Sequence, residues 1–332
     1  MSRTAFVTGG TGFVGANLVR LLLREGWRVR ALVRPASNRG NLDGLNIELV
    51  EGQLAEQVLA PAMRGADAAF HVAAHYSLWR RDRHAVLRGN VEGTRAVLAA
   101  ARAAEVPRVV YTSSVAAIGV KKHGLADENH QSPSGRMIGA YKLSKYLAEQ
   151  EARAAARAGQ DVVIVNPTTP LGPWDRKPTP TGEILVRFLN GKMPVLVETG
   201  LNFVDVADVA RGHLLAYEKG RTGERYILGG ENLSLRALLQ RVGSLGGGRR
   251  APRHSVPLWL PLAFAWLDET MLTPLGLGQN VPIDGVRMSK EAMFYDTSKA
   301  KVELGYVPGP VDEAIRSAIG WFTEHGYLSK RR

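Results

Sequence analysis

No cysteine occurs in the 332 residues, which excludes disulfides, thiol nucleophiles and thiolate metal sites and suits a reducing compartment. Acid is in short supply too. The 31 Asp and Glu against 43 Lys and Arg leave a net charge of +12, a balance open to nucleic acid, anionic lipid or a phosphorylated ligand. Dense basic runs are confined to Trp79-Arg80-Arg81-Asp82-Arg83, Gly248-Arg249-Arg250 and Lys330-Arg331-Arg332, and none is an aromatic-interleaved stripe. The expected partner is therefore a small-molecule substrate, and no nucleic acid. Long hydrophobic runs are lacking as well: the most apolar stretch, 256–267, falls short of the roughly 20 residues that a spanning helix needs. It reads as a buried helix, with a pocket wall or a membrane-facing patch as the sharper readings, and no integral membrane segment is expected. Met1-Ser2-Arg3 runs straight into a strand without a charged leader, so a cytoplasmic location is expected.

What is there is ordinary globular composition, 45% hydrophobic and 22% charged, with apolar runs that alternate between strand and helix. Strands are predicted at 5–8, 28–33, 46–50, 66–72, 108–112 and 161–165, and helices at 17–24, from about Asn90 to Ala104 and from about Ile138 to Ala158. Such alternation implies an α/β fold with parallel strands, right-handed crossovers and helices on both faces. Beyond Asn166 the Pro- and Gly-rich pieces 167–173 and 177–182 read as loops over a site. Strand character returns at 202–206 and 224–228, and both segments are expected to rejoin the same sheet. Residues 1–171 plus 201–230 are thus expected to form the cofactor domain, and 172–200 plus 231–332 a smaller, discontinuous substrate lobe.

Three motifs carry chemistry. Gly9-Gly10-Thr11-Gly12-Phe13-Val14-Gly15 follows a strand and opens a helix, where Gly9 permits the tight turn, Gly12 lets the backbone approach a pyrophosphate and Gly15 lets the helix pack close. At the end of the second strand stands Arg34 rather than an acid, which suits a 2′-phosphate, so NADP(H) is favoured over NAD(H). Arg39 is a candidate second contact. Tyr141 and Lys145 lie four apart on one helix face, an arrangement in which an ammonium makes a phenol usable as an acid-base group. Thr112-Ser113-Ser114 places a hydroxyl cluster at a strand end. Phosphate cradle, acid and polariser together point to hydride chemistry. His71 and His75 have i, i+4 spacing but sit at a strand end with no companion ligands, so no metal is expected.

These pieces resemble the extended short-chain dehydrogenase/reductase family over essentially the whole chain. The resemblance implies a Rossmann-type doubly wound parallel sheet, a nicotinamide cofactor and a Ser-Tyr-Lys catalytic set. Ser114 matches the serine, with Ser113 as rival, and Tyr141 and Lys145 match the other two. In the implied roles, Ser114 hydrogen-bonds the reacting oxygen, Tyr141 exchanges its proton, and Lys145 holds the nicotinamide ribose and lowers the tyrosine pKa. Cofactor contacts are implied at Gly9, Thr11, Gly12, Phe13, Val14, Arg34, Gln53, Leu54, Ala73, Ala74, Tyr141, Lys145, Pro167 and Thr168. Asn90 matches an asparagine at a helix start, and Asn166 a residue near the nicotinamide. Gln53 stands where the family usually has an aspartate, and its carbonyl can still accept from the adenine amine.

Segments 71–79, 166–173 and 226–233 are similar to the dihydroflavonol-4-reductase-like subgroup, whose members include proteins called hopanoid-associated sugar epimerases. His75 stands where an aspartate is expected. The reading that follows is an NADPH-dependent carbonyl reductase. Its alternative is an NAD-dependent nucleotide-sugar epimerase or dehydratase, for which Arg187 and Lys192 are candidate diphosphate contacts. Trp174, Trp259 and Met271 hint at an apolar substrate, and a homodimer is expected from the exposed helices beside the catalytic one.

Overall fold

The structure, a computed structural model, describes residues 2–134, 137–277 and 282–329. Its centre is β1 (Thr4–Thr8), five buried residues whose alternation splits them between two cores. Ala5 and Val7 point to one face of the sheet and Phe6 to the other, the period-two pattern of a strand covered on both sides. β1 pairs in parallel with β2 (Arg28–Val33) on one side and β4 (Ala68–His71) on the other. With β3 (Glu48–Glu51), β5 (Val109–Thr112), β6 (Val162–Pro167) and β9 (Arg225–Leu228) the order is β3-β2-β1-β4-β5-β6-β9, and every pairing is parallel. The chain reverses direction of travel between β1 and β4, which opens a crevice at the carboxyl ends of those strands.

Helices α1 (Phe13–Arg24) and α7 (Val206–Lys219) cover one face, while α2 (Glu56–Met63), α3 (Arg83–Ala103) and α5 (Gly139–Arg157) cover the other. α3 starts well before the expected Asn90, so Asn90 lies inside the helix rather than at its start. Arg80–Asp82, in the basic run, forms a 3-10 turn that feeds α3.

A second sheet holds β7 (Thr169–Leu171), β8 (Gly200–Asp205) and β10 (Glu231–Ser234), in the order β10-β8-β7. The segment at 202–206 therefore does not rejoin the large sheet. Asn202 decides the matter locally: its Nδ2 donates to Asn232 Oδ1 at 2.8 Å, and its Oδ1 accepts from Gly230 N at 2.8 Å, pinning β8 to β10. Around this sheet α6 (Pro180–Leu189), α8 (Leu235–Leu245) and α12 (Val311–Glu324) bury Leu185, Phe188, Leu239, Ile315 and Phe322. α11 (Ser298–Leu304) returns to the first core, where Ala300 and Leu304 are buried.

The expectation of a buried helix at 256–267 is overturned. α9 (Trp259–Leu267) forms, but Ala265 is its only fully buried residue. Local hydropathy predicts a helix that avoids water, whereas burial needs a partner element, and none among the described residues covers the outer side. No helix among the described residues is long and apolar enough to cross a membrane.

Candidate active site

The glycine turn has the geometry its spacing predicts. Gly9 sits at φ +76°, and a Cβ there would come within 2.5 Å of Ala73 N, so the turn is closed against the end of β4. A Cβ on Gly15 would collide with Gly9 O, which explains the close seating of α1 under β1. Gly12 is the N-cap, and no side chain caps the helix, leaving its first N–H groups to face an anion. Thr11, Phe13 and Val14 belong to this turn, and Asn41 Nδ2 holds it from outside by donating to Thr11 O at 3.1 Å.

The remaining predicted cofactor residues gather along the same carboxyl edge. Arg34 follows β2, exposed, with no side-chain partner among the described residues. Arg39, by contrast, is engaged with Glu51 at 2.6 Å. Gln53 follows β3 and is exposed, while Leu54 packs towards Gly93. Ala73 N donates to Thr8 Oγ1 at 3.3 Å, and Ala74 beside it is exposed. Pro167 ends β6, and Thr168 N donates to Leu228 O at 3.1 Å. An uncapped helix start, a glycine cradle and a free guanidinium on the neighbouring strand fit a dinucleotide.

Ser114 caps the short helix α4 (Val115–Ile118), its hydroxyl accepting from Ala116 N at 3.1 Å. The same hydroxyl hydrogen-bonds the Tyr141 phenol. Ser113 is occupied elsewhere: its Oγ donates to Glu149 Oε2 at 2.6 Å in the interior. The structure thus brings Ser114, not Ser113, to the phenol. Lys145 is buried, with Nζ donating to Thr112 O at 2.8 Å. Burial lowers its pKa to about 8, against the pull of Glu149. Tyr141 is pushed up to about 12 by burial, with the Ser114 hydrogen bond opposing.

Among the neighbours, the sequence singles out Asn90, Asn166, His71, His75, Trp174, Arg187 and Lys192 but not Tyr76. The Tyr76 ring stands edge-on to Tyr141 with centroids 4.5 Å apart. Asn90 clamps the backbone before it, accepting from His75 N at 2.6 Å and donating to His75 O at 3.0 Å. The His75 side chain points to Gly89. His71 is buried between Thr8 Oγ1 at 2.7 Å and Thr94 Oγ1 at 3.1 Å, a structural role rather than a ligand's. Asn166 is buried, donating to Ser114 O at 2.9 Å and to Glu149 Oε2 at 2.8 Å. Trp174 lies under the Arg20 guanidinium, 3.4 Å from its ring centroid, on the α1 side of the crevice. Arg187 is exposed on α6 beside Glu183 at 3.7 Å, and Lys192 is exposed beyond the helix.

The chain is an NAD(P)-dependent enzyme of the reductase and epimerase kind. The chain belongs to the NAD dependent epimerase/dehydratase family, whose model matches residues 5–229. Within that family it is similar to "Putative dihydroflavonol 4-reductase" of Synechocystis sp., 57% identical across 99% of this chain and 97% of the other. "Sterol demethylase protein B" of Methylococcus capsulatus is 36% identical across 98% of this chain and 100% of the other. The crystal structure of gox2253 superposes with a TM-score of 0.87 at 44% identity, covering 99% of this chain and 100% of that one.

Proposed function

We propose that the protein is an NADPH-dependent reductase that converts a carbonyl of a small, largely apolar organic compound to an alcohol. The observation that carries this reading is the exposed Arg34 at the end of β2, without a side-chain partner among the described residues. A guanidinium there recognises a 2′-phosphate, and an acid would repel it. The bound nicotinamide supplies the hydride. Gly9, Thr11, Gly12, Phe13 and Val14 hold the pyrophosphate, Gln53, Leu54, Ala73 and Ala74 the adenosine half, and Pro167 and Thr168 the nicotinamide end.

Ser114 donates to the carbonyl oxygen and holds it beside the phenol. Tyr141, protonated at neutral pH because burial raises it, gives its proton to that oxygen. Lys145 keeps a positive charge near the ribose and the phenol below about pH 8. Tyr76 presents a ring edge to Tyr141, a surface suited to an apolar substrate. The dihydroflavonol and sterol in the relatives' names support that substrate class. Residues 172–200 and 231–332 provide most of the substrate side, and the carboxyl edge of the large sheet the cofactor side.

The family description favours one alternative, a nucleotide-sugar epimerase or dehydratase that oxidises and re-reduces a carbinol on a retained cofactor. Incubation with NADPH and a panel of aldehydes, ketones and UDP- or GDP-sugars separates the two. Net NADPH loss with a carbonyl is expected. Sugar interconversion without net loss would replace this reading with the alternative.

A further inference from the structure

The segment from Trp259 to Leu277 turns its apolar side outward. α9, WLPLAFAWL, holds no charged residue. Trp259 is 64% exposed, Trp266 54%, Leu275 70% and Leu277 68%, with Leu260, Phe264, Leu267 and Met271 also exposed. At 100° per residue the exposed positions 259, 260, 263, 264, 266 and 267 sweep roughly 160° of the helix, and the buried Ala265 lies on the opposite side. A contiguous apolar face of this kind marks an interaction surface. It is too short to span a bilayer and suits lying on one.

The rim of the patch selects its occupant. Trp79 and Arg81 form one wall of a groove of about 310 Å³, and Glu269, Thr273 and Pro274 form the other. Arg80, Arg81 and Arg83 are all exposed there. The nearby acids are drawn inward: Asp82 Oδ2 accepts from Ser77 Oγ at 2.6 Å, though its Oδ1 stays 3.9 Å from Arg81 Nε. Glu269 accepts from Arg80 N at 3.3 Å and Ile283 N at 3.0 Å. Two exposed tryptophans on a segment whose end meets the exposed Arg80 and Arg81 match the headgroup layer of an anionic membrane. A second copy of this chain, with net charge +12, would bring like charges together.

We propose that this face docks on an anionic lipid bilayer, with Trp259 and Trp266 at headgroup depth and Arg80, Arg81 and Arg83 on the lipid phosphates. Tyr76, against the Tyr141 ring, is three residues from Trp79, so docking sets the site's mouth near the lipid surface. That last consequence rests on the reductase reading, and the docking itself does not.

The full chain is to be floated with vesicles of about three parts phosphatidylcholine to one part phosphatidylglycerol, and with phosphatidylcholine alone. Binding to the first, at least about tenfold stronger than to the second, is expected. Trp259→Ser with Trp266→Ser, and separately Arg80→Glu with Arg81→Glu, should each reduce it about tenfold or more, with circular dichroism and NADPH-dependent turnover of a water-soluble carbonyl preserved. Equal binding to both vesicles, no binding to either, or a dimer in sedimentation that the tryptophan variant dissociates would each overturn the proposal. Vesicle binding without carbonyl turnover would overturn the reductase reading alone.

Discussion

Arg225 Nη1 lies 2.8 Å from Glu149 Oε1, and both side chains are buried. The carboxylate also accepts from Ser113 Oγ and Asn166 Nδ2, and the guanidinium donates to Glu128 O at 2.8 Å and His130 O at 2.7 Å. The pair therefore ties β9, α5, β6 and the residue that follows β5 together, with Ser114 next in the chain and Lys145 one turn before Glu149 on α5. Arg153 adds a second cation 3.4 Å from Glu149 Oε1.

Removing one member leaves the other charged in the interior, which costs about 3–5 kcal/mol. Glu149→Ala should lower the unfolding free energy by that amount in urea titrations. A loss below about 1 kcal/mol would show that the pair is dispensable.

Ser113 and Ser114 are adjacent in sequence and separate in role. Ser114→Ala should lower turnover by about 10²-fold or more with the affinity for NADPH kept, because a positioned group at the reacting oxygen is gone. Ser113→Ala should instead cost about 1–3 kcal/mol of stability by leaving Glu149 short of a donor. Steady-state kinetics and denaturation on both variants check this; equal losses of turnover would move the role away from Ser114.

On the proposed reading Arg34 pairs with the 2′-phosphate that only NADPH carries, so Arg34→Asp should weaken NADPH about 10²-fold while leaving NADH within about threefold. Fluorescence titration of both cofactors measures it. Equal weakening would remove Arg34 from the phosphate site.

Two buried histidines set an acid limit. Burial, reinforced by the Lys145 charge, lowers His71 to about 3, and burial lowers His213 to about 4. The unfolded chain takes up a proton at each ring near pH 6.5, so their stabilising contribution is complete above that pH and is lost as pH falls towards 4 and 3. By about pH 5 each ring should cost about 2 kcal/mol. Urea midpoints at about pH 7.5 and about pH 5 test it, and an unchanged midpoint would mean that the rings are not held neutral.

Much of the fold was legible because strand period, glycine turn and helix spacing are local signals. Ser114, Tyr141, Lys145 and the phosphate turn rest on short-range spacing, and the strand order then brings them to one edge. What escaped depends on contacts between distant segments. Nothing in 200–205 reveals that its partner is β10 rather than the large sheet, and nothing in WLPLAFAWL reveals whether another element covers it. Arg225 opening a buried strand, and Glu149 one turn beyond Lys145 on α5, are the sequence signals of the buried ion pair.

Asn41 donates from one amide nitrogen to Thr11 O at 3.1 Å and to Trp174 O at 3.0 Å. The glycine turn and the strand exit that leads to the second lobe thus share a mechanical anchor. Displacement of either loop is felt by the other, so wear at position 41 would register at once as looser cofactor binding and as a less ordered entry to the substrate side.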